Sequence, residues 1–176
     1  MPVEFMRRMT IVTLLFLTGV LSGCLTTKDG SHDGEDLPDT SGQIPYIEDG
    51  IFKCIDHEGL SRCWQTHIPD DLDPTESVPL IIDMHGYASD STAHRKLSSF
   101  DTIADEEGAI VIYPDGVLGL NMVWDLEENQ AWNAGWCCAH SAKEGIDDVG
   151  FIEKIVNISV GIHNIDSSRI YASGWS

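Results

Sequence analysis

The stretch IYASGWS, residues 170–176, is a short apolar run that leads directly into Gly-x-Ser. Such a sequence is typical of the first half of a nucleophile elbow, the tight strand-to-helix turn that presents a serine hydroxyl above a sheet. The residue two positions before that serine must be small, because the turn is strained and a Cβ there would collide. Gly174 meets this requirement, so Ser176 is a candidate nucleophile that the rest of the chain has to support.

The composition indicates a globular protein rather than a disordered one. A chain of 176 residues with a hydrophobic fraction of 42% allows one domain with a sizeable core. The formal net charge of -19 would repel nucleic acids and anionic membrane surfaces. We therefore expect a solvated acidic surface and no nucleic-acid partner.

Residues 1–23 have the features of an export signal. Two arginines precede an apolar run, residues 9–20, that is too short to span a bilayer comfortably, and small residues follow it. The end of this segment, Leu21-Ser-Gly-Cys24, resembles the lipobox of prokaryotic lipoproteins, in which the cysteine is lipid-modified and becomes the first residue. The alternative is a plain signal peptide whose cysteine is incidental. We predict a secreted or surface protein, attached to a membrane only through a lipid at Cys24.

Two further segments follow the signal. Residues 24–45 are rich in Asp, Gly, Ser and Thr and contain almost nothing apolar, which predicts a flexible acidic tether. Residues 46–176 carry the apolar runs and are expected to form the folded part of the chain.

The folded part is expected to begin with a β-hairpin. Residues 51–56 and 60–68 have strand character, and a two-residue turn at Glu58-Gly59 would place Cys54 directly opposite Cys63. Counted from that turn, the pair occupies a non-hydrogen-bonded site, where side chains approach most closely. An exported chain meets an oxidising compartment, so we predict a disulfide between them. The alternative is two reduced cysteines that pack as small hydrophobes.

Strands and helices alternate in the remaining sequence. Apolar runs at residues 79–86 and 109–113 predict inner strands of a parallel sheet. Residues 99–107 predict a helix that stops at Gly108, and residues 147–162 predict a second helix that is apolar around much of its circumference. With the final strand, this order requires right-handed crossovers and a parallel sheet.

Five motifs occur in a fixed order between residue 79 and residue 176. They are His85-Gly-Tyr87, Tyr113-Pro-Asp-Gly116, Trp132-Asn-Ala-Gly135, Asp147-Asp-Val-Gly-Phe151 and Arg169-Ile-Tyr-Ala-Ser-Gly-Trp-Ser176. This string resembles the polyhydroxybutyrate depolymerase and feruloyl esterase family of secreted α/β-hydrolases. The resemblance implies an α/β fold, namely the N-terminal half of a mostly parallel sheet with flanking helices behind the hairpin. It also implies cofactor-free, serine-dependent hydrolysis of carboxylic esters. Asp83 departs from the family, which more often has an apolar or neutral residue there, and the family's second half would follow Ser176.

The resemblance also assigns roles in the site. An ester hydrolase needs a serine activated by a histidine that a carboxylate orients, together with backbone donors for the oxyanion. The order in this fold is Ser, acid, His, so both partners of Ser176 should follow it and none of the seven histidines should be the base. One oxyanion donor would be the backbone N–H of Tyr87, and the other that of the residue after Ser176. His85 is interpreted as a structural histidine. No metal is predicted, because five further histidines show no ligand spacing with Cys or acidic neighbours: His57, His67, His94, His140 and His163.

The segment from residue 117 to about residue 145 is predicted to be a long irregular loop, and such loops are usually functional. In it, Trp132 and Trp136 either line a substrate groove for an aromatic or sugar ester or fill a loop core. Cys137 and Cys138 form a vicinal disulfide, bond to separate partners or stay reduced. The acidic pair at residues 147–148 is interpreted as helix N-terminal charge.

Three functions are compatible with these features. The first is a secreted serine esterase that cleaves a polyhydroxyalkanoate-like polyester or a feruloyl or acetyl ester of plant polysaccharide. The second is an acyltransferase on the same fold, in which a sugar or lipid hydroxyl replaces water. The third is a non-catalytic surface lipoprotein that keeps the fold as a binding module. The export signal favours the esterase, because such polymers lie outside the cell. We expect a monomer, and we expect residues 1–176 alone to be inactive because the base would follow Ser176.

Overall fold

The computed structural model describes residues 46–120 and 128–175. Their elements, in chain order, are β1 (Ile47–Asp49), β2 (Phe52–His57), β3 (Leu60–His67), β4 (Val78–Met84), α1 (Ser91–Ser98), α2 (Phe100–Glu107), β5 (Ile110–Pro114), β6 (Val117–Leu120), β7 (Glu128–Ala131), α3 (Ala139–Glu144), α4 (Asp148–Ile162) and β8 (Ile165–Gly174). Ser176, Cys24, the predicted signal and the predicted tether lie outside the described residues. No helix in the described ranges is long and apolar enough to cross a membrane.

A six-stranded sheet, in the order β1-β2-β3-β5-β4-β8, organises the fold. β4 pairs in parallel with β5 on one side and with β8 on the other, as predicted for these strands. The pairings β1–β2, β2–β3 and β3–β5 are antiparallel, so the sheet is mixed rather than mostly parallel. The hairpin β2–β3 belongs to the same sheet, because β3 pairs antiparallel with β5. This join was missed because the partner of β3 lies far along the chain.

The hairpin has the predicted turn and register. Glu58 and Gly59 both have positive φ, 53° and 78°, as a two-residue hairpin turn with matching twist requires. Cys54 faces Cys63, and their Cα atoms are 4.1 Å apart, the spacing of a non-hydrogen-bonded pair. The two cysteines are joined by a disulfide.

Two apolar layers cover the two faces of the sheet. The larger one lies under α4, where Phe151 and Ile155 are fully buried, so the prediction that this helix packs on a sheet is confirmed. Not every apolar residue of this helix is covered, since Val149 is 70% exposed. The smaller layer lies on the opposite face under α2. The buried members of that second layer are Ala104, Ala109, Val111 and Tyr113.

The helix and loop predictions are only partly right. α2 runs over Phe100–Glu107 and ends at Gly108, with φ of 65°, as expected. α1 was predicted as a loop, because its buried residues, Ser91 and His94, are polar and give no apolar period. The predicted long loop is interrupted by the β6–β7 hairpin and by α3, so its irregular character was overestimated.

Candidate active site

The carboxyl ends of three parallel strands meet at one edge of the sheet. Met84 at the end of β4 faces Gly174 at the end of β8, and the Trp175 N–H donates to the Met84 carbonyl at 3.2 Å. β5 ends alongside them at Pro114. Ligand sites of open parallel sheets lie at this edge. Three of the five motifs thus converge where a site is expected.

Gly174 keeps β8 close to β4. A Cβ at this position would lie 3.3 Å from the Met84 backbone oxygen and 3.6 Å from its Cβ, a tight contact that a larger residue would worsen. The glycine requirement inferred from the elbow pattern therefore has a second cause, which is the approach of the neighbouring strand. Ser176 follows two residues later.

His85 has both ring nitrogens engaged. Its Nδ1–H donates to the Gly86 carbonyl at 2.7 Å, and its Nε2 accepts the Gly116 N–H at 2.9 Å. These two contacts select a neutral imidazole, and burial lowers the pKa of His85. No ring nitrogen is left for proton transfer, which agrees with the structural role expected for this histidine.

The loop after β4 is held by a neighbouring segment. Trp132 Nε1 donates to the His85 carbonyl at 2.8 Å, and the Ala88 N–H donates to the Gln130 carbonyl at 3.1 Å. Ala88 has a left-handed φ of 59°, which a non-glycine residue keeps only where its surroundings impose it. Within the described ranges, the Tyr87 N–H has no hydrogen-bond acceptor. A fixed loop thus presents a backbone donor that has no partner in the described part of the chain.

The Asp115-Gly116 turn after β5 links this loop to α1. The Asp115 carboxylate accepts the Ser91 N–H at 2.7 Å, at the helix N-terminus where negative charge is favoured. Burial raises the pKa of Asp115. A Cβ on Gly116 would lie 2.7 Å from the Ala131 carbonyl oxygen, so only glycine lets β7 approach here. The turn therefore has two structural contacts that motif reading alone did not identify.

Asp147 and Asp148 both lie at the N-terminus of α4, as predicted, but Asp148 has a second role. Asp147 caps α4, and its side chain accepts the Gly150 N–H at 3.0 Å. Asp148 is buried, lies 2.6 Å from Arg62 Nη2 and accepts the Asn133 N–H at 2.6 Å. It ties β3 to the loop that carries Trp132. Sequence reasoning missed this because Arg62 gave no signal of burial.

Trp132 and Trp136 separate into two environments. Trp132 packs against the larger core and anchors His85, so the loop-core interpretation holds for it. Trp136 is 97% exposed next to a glycine with φ of 77° and does not fill a core. Cys137 and Cys138 are bonded to each other, the first of the three alternatives.

The remaining described histidines mostly contact carboxylates or backbone. His57, His67 and His94 lie beside Asp147, Asp105 and Asp83, and His140 Nε2 bonds the Val117 carbonyl. Among residues 46–120 and 128–175, no group of three or more His, Cys, Asp or Glu side chains is placed to hold a metal ion.

Comparison with known proteins gives esterases, and no family model matches the chain. The bifunctional acetylxylan esterase/xylanase XynS20E of Neocallimastix patriciarum is 28% identical over 119 residues, covering 68% of this chain and 15% of that protein. Feruloyl esterase B of Piromyces equi is 31% identical over 101 residues, covering 57% and 17%. Feruloyl esterase B of Thermothelomyces thermophilus is 28% identical, covering 62% and 34%. The chain therefore spans at most about a third of these relatives.

Solved structures share the fold. A thermostable esterase superposes with a TM-score of 0.51 at 19% identity, covering 72% of this chain and 34% of that one. The poly(3-hydroxybutyrate) depolymerase LpqC from Bordetella parapertussis gives 0.50 at 12% identity, covering 71% and 42%. The strand order and these superpositions show an α/β-hydrolase fold. In sequence the chain is similar to feruloyl and acetylxylan esterases, in agreement with the family resemblance that the five motifs carry.

Proposed function

We propose that this protein is a serine esterase, with Ser176 as nucleophile and the backbone N–H of Tyr87 as one oxyanion donor. The observation that carries the proposal is the loop after β4. It is fixed by contacts to Gly116, Gln130 and Trp132, yet its Tyr87 N–H has no acceptor among the described residues. It lies at the sheet edge toward which β8 leads the chain.

The chemistry follows from these positions. The serine oxygen attacks the ester carbonyl carbon while its proton passes to a histidine, which in this fold comes after Ser176 together with its carboxylate. The oxyanion that forms accepts a hydrogen bond from Tyr87 N–H and from the N–H of the residue after Ser176. The alcohol leaves with the proton, and water then releases the acid. A donor of this kind contributes about 10²–10³-fold to kcat.

The proposed substrates are feruloyl or acetyl esters of plant polysaccharides, with a polyester as the other polymer to be compared. The similarity to feruloyl and acetylxylan esterases supports this choice. Trp136, almost fully exposed, offers a ring that can stack on a feruloyl or sugar group, while Trp132 holds the loop after β4 through the His85 carbonyl. We further propose that the protein is exported as a monomer and anchored through Cys24, so that it reaches such polymers.

The test uses protein expressed from the complete gene with p-nitrophenyl acetate, methyl ferulate, acetylated xylan and polyhydroxybutyrate film. Ser176→Ala should lower turnover by about 10³–10⁶-fold, the range seen on removing members of a catalytic triad. Ser167→Ala, which changes an exposed serine of β8, is the matched control and should keep wild-type turnover. Activity retained in Ser176→Ala would refute the nucleophile. Acyl transfer to a sugar without hydrolysis would show an acyltransferase, and binding without turnover would show a binding module.

A further inference from the structure

A buried pair of side chains bridges the two elements that flank the oxyanion loop. Asp83 lies near the end of β4, and His94 lies in α1, on the other side of loop residues 85–90. His94 Nε2 is 3.1 Å from Asp83 Oδ1, and the two side chains are 5% and 1% exposed. The pair therefore connects the start of the loop to the helix that receives its end.

Packing alone does not explain Asp83. It shares a face of the sheet with Ile81, two residues earlier, and with the apolar layer that contains Val111. Its Oδ2 has no hydrogen-bond partner among the described residues, and the close approach of His94 to Oδ1 lacks hydrogen-bond geometry. An apolar residue would be easier to bury at this position than a carboxylate that is only partly satisfied. A role other than stabilising the fold would explain why an aspartate occupies position 83.

The first turn of α1 is fixed by polar contacts from β3 and from the turn after β5. Asp115, after β5, accepts the Ser91 N–H at 2.7 Å. Gln65 in β3 donates to Ser91 Oγ at 3.0 Å and to Thr92 Oγ1 at 2.7 Å. The pair of His94 with Asp83 adds a tie to β4, the strand from which the loop departs. These side chains set the separation of β4 and α1, the two elements that the loop connects.

We propose that Asp83 and His94 are positioning residues, which fix α1 against β4 and so aim the Tyr87 N–H at the oxyanion. This inference rests on the proposed esterase function of the loop. Loosening the pair lets α1 shift, and the shift reaches Tyr87 through the strained residue Ala88. A displacement of about 1 Å at a reacting group can cost about 10²-fold in rate.

The experiment compares Asp83→Asn, His94→Gln and the double variant in protein from the complete gene. Each should lower kcat by about 10- to 100-fold while KM stays within about twofold, because the oxyanion forms only in the transition state. The double variant should be no worse than the more severe single variant, because both remove one interaction. His57→Gln is the matched control, since His57 Nε2 is also 3.1 Å from a carboxylate, that of Asp147, and should leave kcat unchanged.

Hydrogen exchange of the Ala88 and Ser89 amides, measured without substrate, gives a second readout. Both N–H groups bond within or next to the loop and should exchange about tenfold faster in the variants but not in the control. Faster exchange in protein that cleaves no ester would support the positioning role and refute the esterase function. If the Asp83 and His94 variants keep the wild-type kcat and the wild-type amide exchange, and only their melting temperature falls, the positioning role is overturned. If Asp83→Asn does not fold, the kcat and the hydrogen exchange of His94→Gln test the positioning role, because this variant changes the other member of the pair.

Discussion

Replacing Asp148 by alanine should lower the free energy of unfolding more than replacing the adjacent Asp147 by alanine. Asp148 is 9% exposed at its side chain, and its partner Arg62 is 1% exposed. Burial lowers the pKa of the Arg62 guanidinium, which the nearby Asp148 charge opposes. In Asp148→Ala the cation would remain buried, with its Nε and Nη1 lacking hydrogen-bond partners among residues 46–120 and 128–175, and the Asn133 N–H would lose its acceptor. Removing one member of a buried ion pair typically costs about 3–5 kcal/mol.

That loss is a large part of the stability of a single domain, about 5–15 kcal/mol. Urea unfolding followed by circular dichroism measures it, with Asp147→Ala as the matched control because the adjacent side chain is an exposed cap. We expect a clearly smaller loss in the control. Equal losses in Asp147→Ala and Asp148→Ala would refute the assignment of Asp148 as the buried anchor of Arg62.

Three further changes test separate features. Gly116→Ala puts a Cβ 2.7 Å from a carbonyl oxygen of β7 and should cost about 1–3 kcal/mol by thermal unfolding, whereas a neutral result would mean that β7 can move away. Replacing both Cys54 and Cys63 by serine removes a disulfide between residues nine positions apart and should lower the free energy of unfolding by about 2–3 kcal/mol. A wild-type melting temperature that does not change on reduction would contradict this. The Gly150 N–H, and then His57, lower the pKa of Asp147, so its contribution is present above the unfolded pKa and is lost as pH falls through the folded one. Asp147→Asn should therefore flatten the acid side of the stability curve.

Local patterns predicted the parts of the fold that depend on neighbouring residues. The turn at Glu58-Gly59 determines the hairpin register, because a two-residue loop leaves a single way to pair the strands. β5, and β4 apart from Asp83, are apolar runs, which are typical of strands buried on both faces. These signals need no knowledge of distant residues.

The polar parts of the site could not be predicted in this way. α1 buries Ser91 and His94, whose partners lie in β3, β4 and the turn after β5. Asp148 is bonded to a residue 86 positions earlier in the chain. Such contacts depend on the three-dimensional arrangement of strands, so a single sequence shows only that polar residues occur where apolar ones were expected.

The position of β4 in the sheet has a consequence for how the chain acquires its structure during synthesis. The β2–β3 hairpin is local and can form as soon as its residues have left the ribosome. β4 has its two partners, β5 and β8, later in the chain, so one flank of this apolar strand stays uncovered until Gly174 has been made. An uncovered strand of this kind readily pairs with another chain. Slow translation between Pro114 and Ile165 would therefore lengthen the period in which the nascent protein needs a chaperone.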